Sequence, residues 1–241
     1  AAAIDSAVEM LAAAERPILY TGGGVINAGS EASELLRELA EMTGAPVTST
    51  LMGLGAFPAT SKQWLGMLGM HGTYEANLAM NRADLIVCIG ARFDDRVTGR
   101  LDAFSPNSKK IHIDIDRSSV NKTVAVDLPI IADCGSAMAD MITLWKERGH
   151  KAADLGEWWA RIAGWQARRS LDYPENGEEI MPQRAIADLY KACLATGKDV
   201  IISTEVGQHQ MWAAQHFGFD APNKWLTSGG LGTMGYGFPA A

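Results

Sequence analysis

Short, continuously apolar runs recur along the chain and are separated by longer stretches with helical periodicity. A run that is apolar at every position predicts a strand buried on both faces, as in a parallel sheet. Such runs occupy residues 17–20, 85–89 and 200–203, and two shorter candidates are residues 46–48 and 128–132.

Residues 110–116 differ because apolar and polar side chains alternate there. The alternation predicts a strand with Ile111, Ile113 and Ile115 on one face. His112, Asp114 and Asp116 would then lie on the other face, where simple solvation competes with a ligand-binding role.

Apolar spacing of three and four residues predicts helices at 31–42, 75–83, 136–148, 157–170 and 183–194, with Gly44 ending the first. The alternation of strand and helix predicts an α/β fold with a doubly wound parallel sheet of the FAD/NAD-binding type. We predict a first domain at residues 1–171, a linker at 172–182 and the start of a second α/β domain at 183–241.

Both ends of the sequence have patterns expected inside a longer protein. The first residues already show helical periodicity, and the last ones form an unfinished glycine-rich turn. We therefore expect the chain to be a piece of a longer enzyme and to be inactive by itself.

The composition excludes several classes of protein. A net charge of −7 argues against binding nucleic acid. No apolar stretch approaches the roughly 20 residues that span a bilayer, so we expect no membrane association. The three cysteines are far apart, which favours packing in a reducing compartment. We expect a soluble, cytoplasmic protein.

Glycine-containing segments follow several predicted strands. Gly22, Gly23 and Gly24 follow the first strand, where glycine lets the backbone approach an anionic ligand, although a tight turn explains them equally well. Residues 50–55 and 68–73 combine glycine with methionine, which suits a flat ring or irregular core packing. His71 in the second segment would more often be structural.

Four charged residues, Arg92, Asp94, Asp95 and Arg96, follow the most apolar strand. The carboxyl ends of parallel strands are where such sheets bind ligands. Arginine suits phosphate, and aspartate suits ribose hydroxyls or fixes the arginine. The alternative is a surface network of ion pairs.

In the last segment, residues 205–212 follow a predicted strand, and residues 228–235 form a glycine-rich stretch. A strand end followed by Gly207, Gln208 and His209 suggests donors for a diphosphate. Met234 is the one bulky apolar residue among small neighbours in its turn. No Ser/His/Asp arrangement for nucleophilic catalysis emerges.

Together, and in this order, the segments TLMGLGAFP, LGMLGMHGT, RFDDRVTG, HIDID, GQHQMWAAQ and SGGLGTMGYGFPAA resemble the acetolactate synthase (acetohydroxyacid synthase) large subunits. The resemblance covers essentially the whole chain. Alternatives are another thiamine-diphosphate-dependent lyase or oxidase, and a nucleotide-binding module without catalysis. The family pattern leads us to expect a shorter or neutral residue at position 205, and Glu205 departs from it.

The resemblance implies two organic cofactors. The FAD site would be lined by Gly23, Thr50, Leu51, Leu68, Gly69, Met70, His71, Gly90, Ala91, Arg92, Phe93, Asp94, Asp114, Ile115, Asp133 and Cys134. Thiamine diphosphate would touch Gln208, His209, Gly232, Thr233 and Met234, with Met234 wedging the cofactor into a bent shape.

The resemblance further implies what the chain lacks and what it works with. The glutamate that activates thiamine diphosphate and the Mg2+ ligands would lie outside this chain, so we expect no metal site in it. The parent enzyme would decarboxylate pyruvate and join the two-carbon unit to a second 2-oxo acid in branched-chain amino-acid biosynthesis. Its expected partners are a regulatory small subunit and further copies of itself, as a dimer or tetramer.

Overall fold

The computed structural model describes residues 2–175, 177 and 179–241, and these residues form two parallel sheets. The first sheet has six strands in the order β3-β2-β1-β4-β5-β6, and the second pairs β7 with β8. The strands are β1 (Pro17–Thr21), β2 (Val47–Ser49), β3 (Trp64–Met67), β4 (Leu85–Ile89), β5 (Lys109–Asp114), β6 (Leu128–Ile131), β7 (Ile202–Thr204) and β8 (Trp225–Thr227). The helices are α1 (Ala2–Ala12), α2 (Gly23–Asn27), α3 (Ser30–Thr43), α4 (Tyr74–Arg82), α5 (Asp95–Thr98), α6 (Cys134–Glu147), α7 (Gly156–Gln166), α8 (Pro182–Ala195), α9 (Gln208–His216) and α10 (Gly237–Ala240).

The six-stranded sheet confirms the predicted α/β class. Every strand pair in it is parallel, and the strand order reverses between β1 and β4. Helices α1, α3 and α6 pack together on one face, while α4 and α7 pack together on the other. A ligand site of such a sheet lies outside the carboxyl ends of the strands at the point of reversal.

The strand β5 corrects the prediction of a half-exposed strand. It ends at Asp114 rather than continuing to residue 116, and Ile115 is 74% exposed instead of facing the core. His112 has no exposed surface, although the alternation placed it on an open face. The ring of Phe93 stacks edge-on against His112, with ring centroids 5.2 Å apart, so this second face is covered too.

The strand β7 begins later than the pattern predicts. The apolar run starts at residue 200, but pairing with β8 begins where Ile202 meets Trp225. Ile201 is 55% exposed. An apolar run shows that side chains favour burial, whereas the start of a strand depends on where a neighbouring strand supplies hydrogen bonds.

The pattern did not predict β3, β8, α2 or α9. In β3, Gly66 takes a positive φ of 88° and alternate residues are only half-buried, which interrupts the apolar run. The predicted C-cap of α3 is present, since Gly44 has a φ of 70° and its N–H bonds to the carbonyl of Ala40.

Helix α7 packs against the six-stranded sheet, which with its flanking helices forms the first sheet unit. The indole Nε1 of Trp158 donates to the carbonyl of Pro17 at 3.1 Å, and that of Trp159 donates to the carbonyl of Gly44 at 2.9 Å. The predicted linker at 172–182 follows α7 and ends on the first residue of α8, and its positions 176 and 178 lie outside the described residues. The domain boundary there stays a prediction.

An apolar cluster joins the two sheets. The second unit is the part of the chain that carries β7 and β8. Its Phe217, Phe219 and Trp225 pack with Leu54 and Met67 of the first unit. The backbone N–H of residue 59 also donates to the carbonyl of Phe219 at 3.2 Å. These contacts place the second unit beside the carboxyl edge of the first sheet.

Candidate functional site

A cavity of about 990 Å3 lies at the carboxyl ends of β1, β2, β4 and β5, between the first sheet and the segment after β8. Pockets for organic ligands have volumes of roughly 300–1,000 Å3, so this one is large enough for an extended molecule. Of the residues predicted for FAD, those lining it are Gly23, Thr50, Leu51, Leu68, Met70, His71, Gly90, Arg92, Asp94, Asp114, Ile115, Asp133 and Cys134.

Glycines bring the ends of β1 and β4 into contact at the floor of the cavity. A Cβ on Gly24 would lie 2.6 Å from the Cα of Gly90, and a Cβ on Gly22 would lie 2.4 Å from the carbonyl oxygen of Gly90. Gly90 also has a φ of 62°, which favours glycine. No larger residue fits without moving the backbone, so a ligand here can lie directly against the main chain.

Charged groups at the rim come from the loop after β4. The guanidinium of Arg92 pairs with the carboxylate of Asp94 at 3.2 Å, and Asp94 caps α5 by accepting from the N–H of Arg96. Burial alone would raise the pKa of Asp94, but the Arg96 N–H, a hydrogen bond with Asp95 and the two guanidinium groups lower it. The rim therefore carries one ionised carboxylate and two cations, Arg92 and Arg96, which line the cavity.

Carboxylates mark the opposite wall. Asp114, at the end of β5, accepts from the N–H of Asp116, and Asp133 caps α6 by accepting from the N–H of Ser136. Cys134 follows at the start of α6, and burial raises the pKa of its thiol to about 11. The thiol is therefore protonated in neutral solution, and the wall offers carboxylate oxygens as acceptors for hydroxyl groups.

Three of the predicted residues do not line the cavity but lie beneath it. The ring of Phe93 is buried between Tyr20 and Phe104, with a φ of 52°. The carbonyl of Ala91 bonds to the Nε2 of His112 at 2.7 Å. Gly69 exchanges two hydrogen bonds with the amide of Asn77. They shape the loops that carry the lining residues.

Burial and hydrogen bonding act in opposite directions on His112. Burial lowers the pKa of the imidazole, although the Ala91 carbonyl and the nearby Asp114 carboxylate act to raise it. With the ring neutral, its Nε2–H donates to Ala91, and its Nδ1 has no partner among the described residues. The predicted polar face of β5 thus supports the cavity loop from below.

Several lining residues were not among those that the resemblance assigned to FAD. Met52 and Arg96 belong to segments that the sequence singled out, so their proximity along the chain was an available signal. Gln210 and Trp225 come from the second unit, and only the packing of that unit against the first brings them here.

The residues predicted for thiamine diphosphate lie at the carboxyl ends of β7 and β8. Gln208 and His209 begin α9, directly after Gly207, and both are exposed. Only Gly232 of this group lines the large cavity, while the Met234 side chain is 81% exposed. The neighbouring Gln210 is buried and donates to the hydroxyl of Thr227 at 2.6 Å. The group forms an open surface next to the cavity.

Two kinds of feature are absent from the described residues. No cluster of three or more His, Cys, Asp or Glu side chains there has the arrangement needed to hold a metal ion. In the same residues, no helix combines the length and apolar character needed to cross a membrane.

Comparison with known proteins gives two family matches. The family described as thiamine pyrophosphate enzyme, central domain, matches residues 4–141, and the C-terminal TPP binding domain of such enzymes matches residues 205–241. Residues 205–241 contain every position predicted to contact thiamine diphosphate.

Individual relatives are similar over nearly the whole chain. The chain is 48% identical to the acetolactate synthase isozyme 3 large subunit of Escherichia coli (strain K12), over 99% of this chain and 41% of that protein. It is 48% identical to the acetolactate synthase large subunit of Haemophilus influenzae, with the same shares of each protein. An acetolactate synthase of Mycobacterium bovis is 45% identical over 99% of this chain and 38% of its own length. The chain thus spans about two fifths of the curated relatives it matches.

Proposed function

Since this chain belongs to the thiamine pyrophosphate enzymes, whose central domain matches more than half of it, we propose that it is part of an acetolactate synthase large subunit. The complete protein condenses two molecules of pyruvate to 2-acetolactate with release of CO2, or joins pyruvate to 2-oxobutyrate. These reactions serve branched-chain amino-acid biosynthesis. Relatives of that name, 48% identical to this chain, support the proposal.

The observation that carries the proposal is the large cavity at the carboxyl ends of the first sheet. Its glycine floor, in which Gly24 and Gly90 touch, leaves room for a phosphate chain against the backbone. Arg92 and Arg96 supply positive charge at the rim, and Asp114 and Asp133 supply acceptors on the wall. Phosphate and ribose hydroxyls require these two kinds of partner, so the cavity fits FAD.

We assign the thiamine diphosphate surface to Gln208, His209, Gly232, Thr233 and Met234. The side chains of Gln208 and His209 can donate to phosphate oxygens, and the exposed thioether of Met234 offers an apolar brace. When bound, thiamine diphosphate supplies the carbon that attacks the 2-oxo acid and holds the electron pair left after CO2 departs. The activating glutamate and the Mg2+ ligands come from other parts of the complete protein.

The proposal extends to partners and compartment. Acetolactate synthase large subunits act as oligomers of identical chains together with a regulatory small subunit, and we assign both to the complete protein. We assign it to the cytoplasm, where pyruvate is available.

The test uses the intact subunit that contains this chain. Purified with FAD, thiamine diphosphate and Mg2+, it is expected to convert pyruvate to acetolactate, measured by the colour reaction of acetoin after acid decarboxylation. The 241-residue chain assayed alongside is expected to give no product above the buffer blank. Release of CO2 with acetate in the presence of an electron acceptor would instead identify an oxidase, and release of CO2 with acetaldehyde would identify another lyase.

A further inference from the structure

The carboxylate of Glu205 holds the glycine-rich turn that follows Met234. Its Oε2 accepts from the N–H groups of Gly235 at 2.6 Å and Tyr236 at 3.1 Å. Its Oε1 accepts from those of Gly237 at 2.8 Å and Phe238 at 3.1 Å. Four consecutive backbone donors, from a segment 30 to 33 positions away in the chain, therefore converge on one side chain.

Further contacts anchor the backbone on both sides of Met234. The N–H of Thr233 donates to the hydroxyl of Ser228 at 2.8 Å, and the hydroxyl of Ser203 donates to the carbonyl of Gly237 at 2.8 Å. Gly237 lies so close to β7 that a Cβ on it would be 2.4 Å from the carbonyl carbon of residue 204. The backbone around Met234 is therefore held on both sides, while its side chain remains 81% exposed.

An ionised carboxylate suits this arrangement better than any neutral side chain. Both of its oxygens accept hydrogen bonds, whereas the amide of glutamine has one acceptor oxygen and would turn its NH2 group toward two donors. The N–H of Phe238, followed by those of Gly235, Gly237 and Tyr236, lowers the pKa of Glu205. The acceptor therefore stays charged in neutral solution.

We propose that Glu205 is a positioning residue that sets the place of Met234 relative to the carboxyl end of β7. This role rests on the proposed function, because it matters for catalysis only if Met234 braces thiamine diphosphate. Glu205 immediately follows β7, and Gln208 and His209 follow it at the start of α9. One side chain thus fixes the distance between the diphosphate-binding end of the surface and its apolar brace. These four hydrogen bonds account for a glutamate at position 205, where a shorter or neutral residue was expected.

The test compares Glu205→Gln and Glu205→Asp with a matched control in the intact subunit. The control is Glu15→Gln, which neutralises an exposed glutamate that pairs with Arg16 at 3.8 Å. We call the four hydrogen bonds from residues 235–238 to Glu205 the clasp. Hydrogen–deuterium exchange of the amides of residues 235–238 reports the clasp directly and requires no turnover. Steady-state kinetics with pyruvate then report kcat and KM separately.

Glu205→Gln is expected to raise the exchange of these four amides by about tenfold or more, since charge-assisted hydrogen bonds are lost. It is expected to lower kcat by about tenfold with little change in KM for pyruvate, because cofactor geometry changes and substrate contacts do not. Glu205→Asp keeps the charge and is expected to show smaller changes than Glu205→Gln in both amide exchange and kcat. Glu15→Gln is expected to match the wild type in both measurements.

Unchanged exchange at residues 235–238 in Glu205→Gln would disprove the clasp. Faster exchange with unchanged kcat in both variants would overturn the positioning role and leave only a structural one. If Glu205→Gln does not fold, the same comparisons apply to Glu205→Asp. A wild-type subunit that makes no acetolactate would refute the proposed function, while the exchange data would still decide whether the clasp exists.

Discussion

Arg92 stands at the rim of the cavity, where its side chain is 65% exposed and its guanidinium pairs with Asp94. A ligand phosphate can therefore reach it without displacing core packing. In the intact subunit, Arg92→Ala is expected to weaken FAD binding by about tenfold, since a charge-assisted hydrogen bond contributes about 1.4 kcal/mol or more. Titration of flavin fluorescence measures the dissociation constant. The control is Arg100→Ala, which removes an exposed arginine that pairs with Asp102 outside the cavity. Equal dissociation constants for the two variants would exclude Arg92 from the FAD site.

Met234 is exposed in this structure and has no part in the apolar clusters of the described residues. Truncating it should therefore leave folding intact and act on the cofactor. Met234→Ala in the intact subunit is expected to lower kcat by about tenfold or more, with a smaller effect on the affinity for thiamine diphosphate, because Gln208 and His209 hold the diphosphate end. Leu101→Ala, at an exposed leucine elsewhere, is the control. Normal turnover combined with a lower melting temperature would mean that Met234 packs in the complete protein.

His112 makes the stability of the first sheet unit depend on pH. Burial lowers its pKa from the ordinary value of 6.5, so the unfolded chain binds a proton more readily than the folded chain. The contribution of neutral His112 to the free energy of unfolding is therefore fully present above about pH 6.5. It is lost as the pH falls toward the folded pKa, at no more than about 1.4 kcal/mol per pH unit for one group. Urea unfolding between about pH 5 and 8 measures this slope.

His112→Gln is expected to flatten that slope while lowering stability at neutral pH, because the bond to Ala91 changes. Burial also lowers the pKa of His216, which contributes equally to both proteins, so their difference isolates His112. An identical slope in the variant would show that His112 titrates alike in the folded and unfolded chain.

Among the secondary-structure elements, β1 and β4 depend on glycine where they meet. Gly90→Ala would place a methyl group 2.7 Å from the Cα of Gly24 in a backbone with a φ of 62°. The substitution is expected to cost at least about 2 kcal/mol, from the left-handed conformation and the overpacking together. Thermal or urea unfolding of the chain measures it.

Gly164→Ala is the matched control, because a Cβ there meets nothing within 4 Å and the residue lies inside α7. It is expected to stabilise the protein by about 0.5–1 kcal/mol, since alanine loses less backbone freedom than glycine in a helix. A neutral Gly90→Ala would mean that the two strand ends separate easily and do not form a rigid floor.

On the scale of the whole molecule, the two sheets are connected through the segment between α7 and α8 and by an apolar cluster. Limited proteolysis is expected to cut first within residues 172–182, because residues 172–175, 177 and 179–181 lie mostly at the surface and outside any strand or helix. Residues 85–116 should resist, since β4 and β5 are buried. Mass spectrometry of the first fragments identifies the site. A first cut in 85–116 would contradict the boundary at 172–182.

Local patterns in the sequence predicted the parallel sheet and the order in which its ligand-facing loops follow the strands. Strands buried on both faces leave continuous apolar runs, and β4 occupies the predicted run of residues 85–89. Glycines 22–24 and the charged loop after β4 were likewise visible, because close backbone approach and ligand charge restrict residue type. These are local requirements, so a local pattern records them.

The packing of the sheets and loops, which no local pattern records, sets which of those residues face the cavity and what surrounds the others. The loop after β4 turns Phe93 down onto His112, so the polar face of β5 became a buried support. Glu205 gained its four partners from residues 235–238 because β7 and β8 are neighbours in the second sheet. A pattern along the chain records how strongly a residue favours burial, but its partner comes from distant sequence and is set by how the sheets and loops pack.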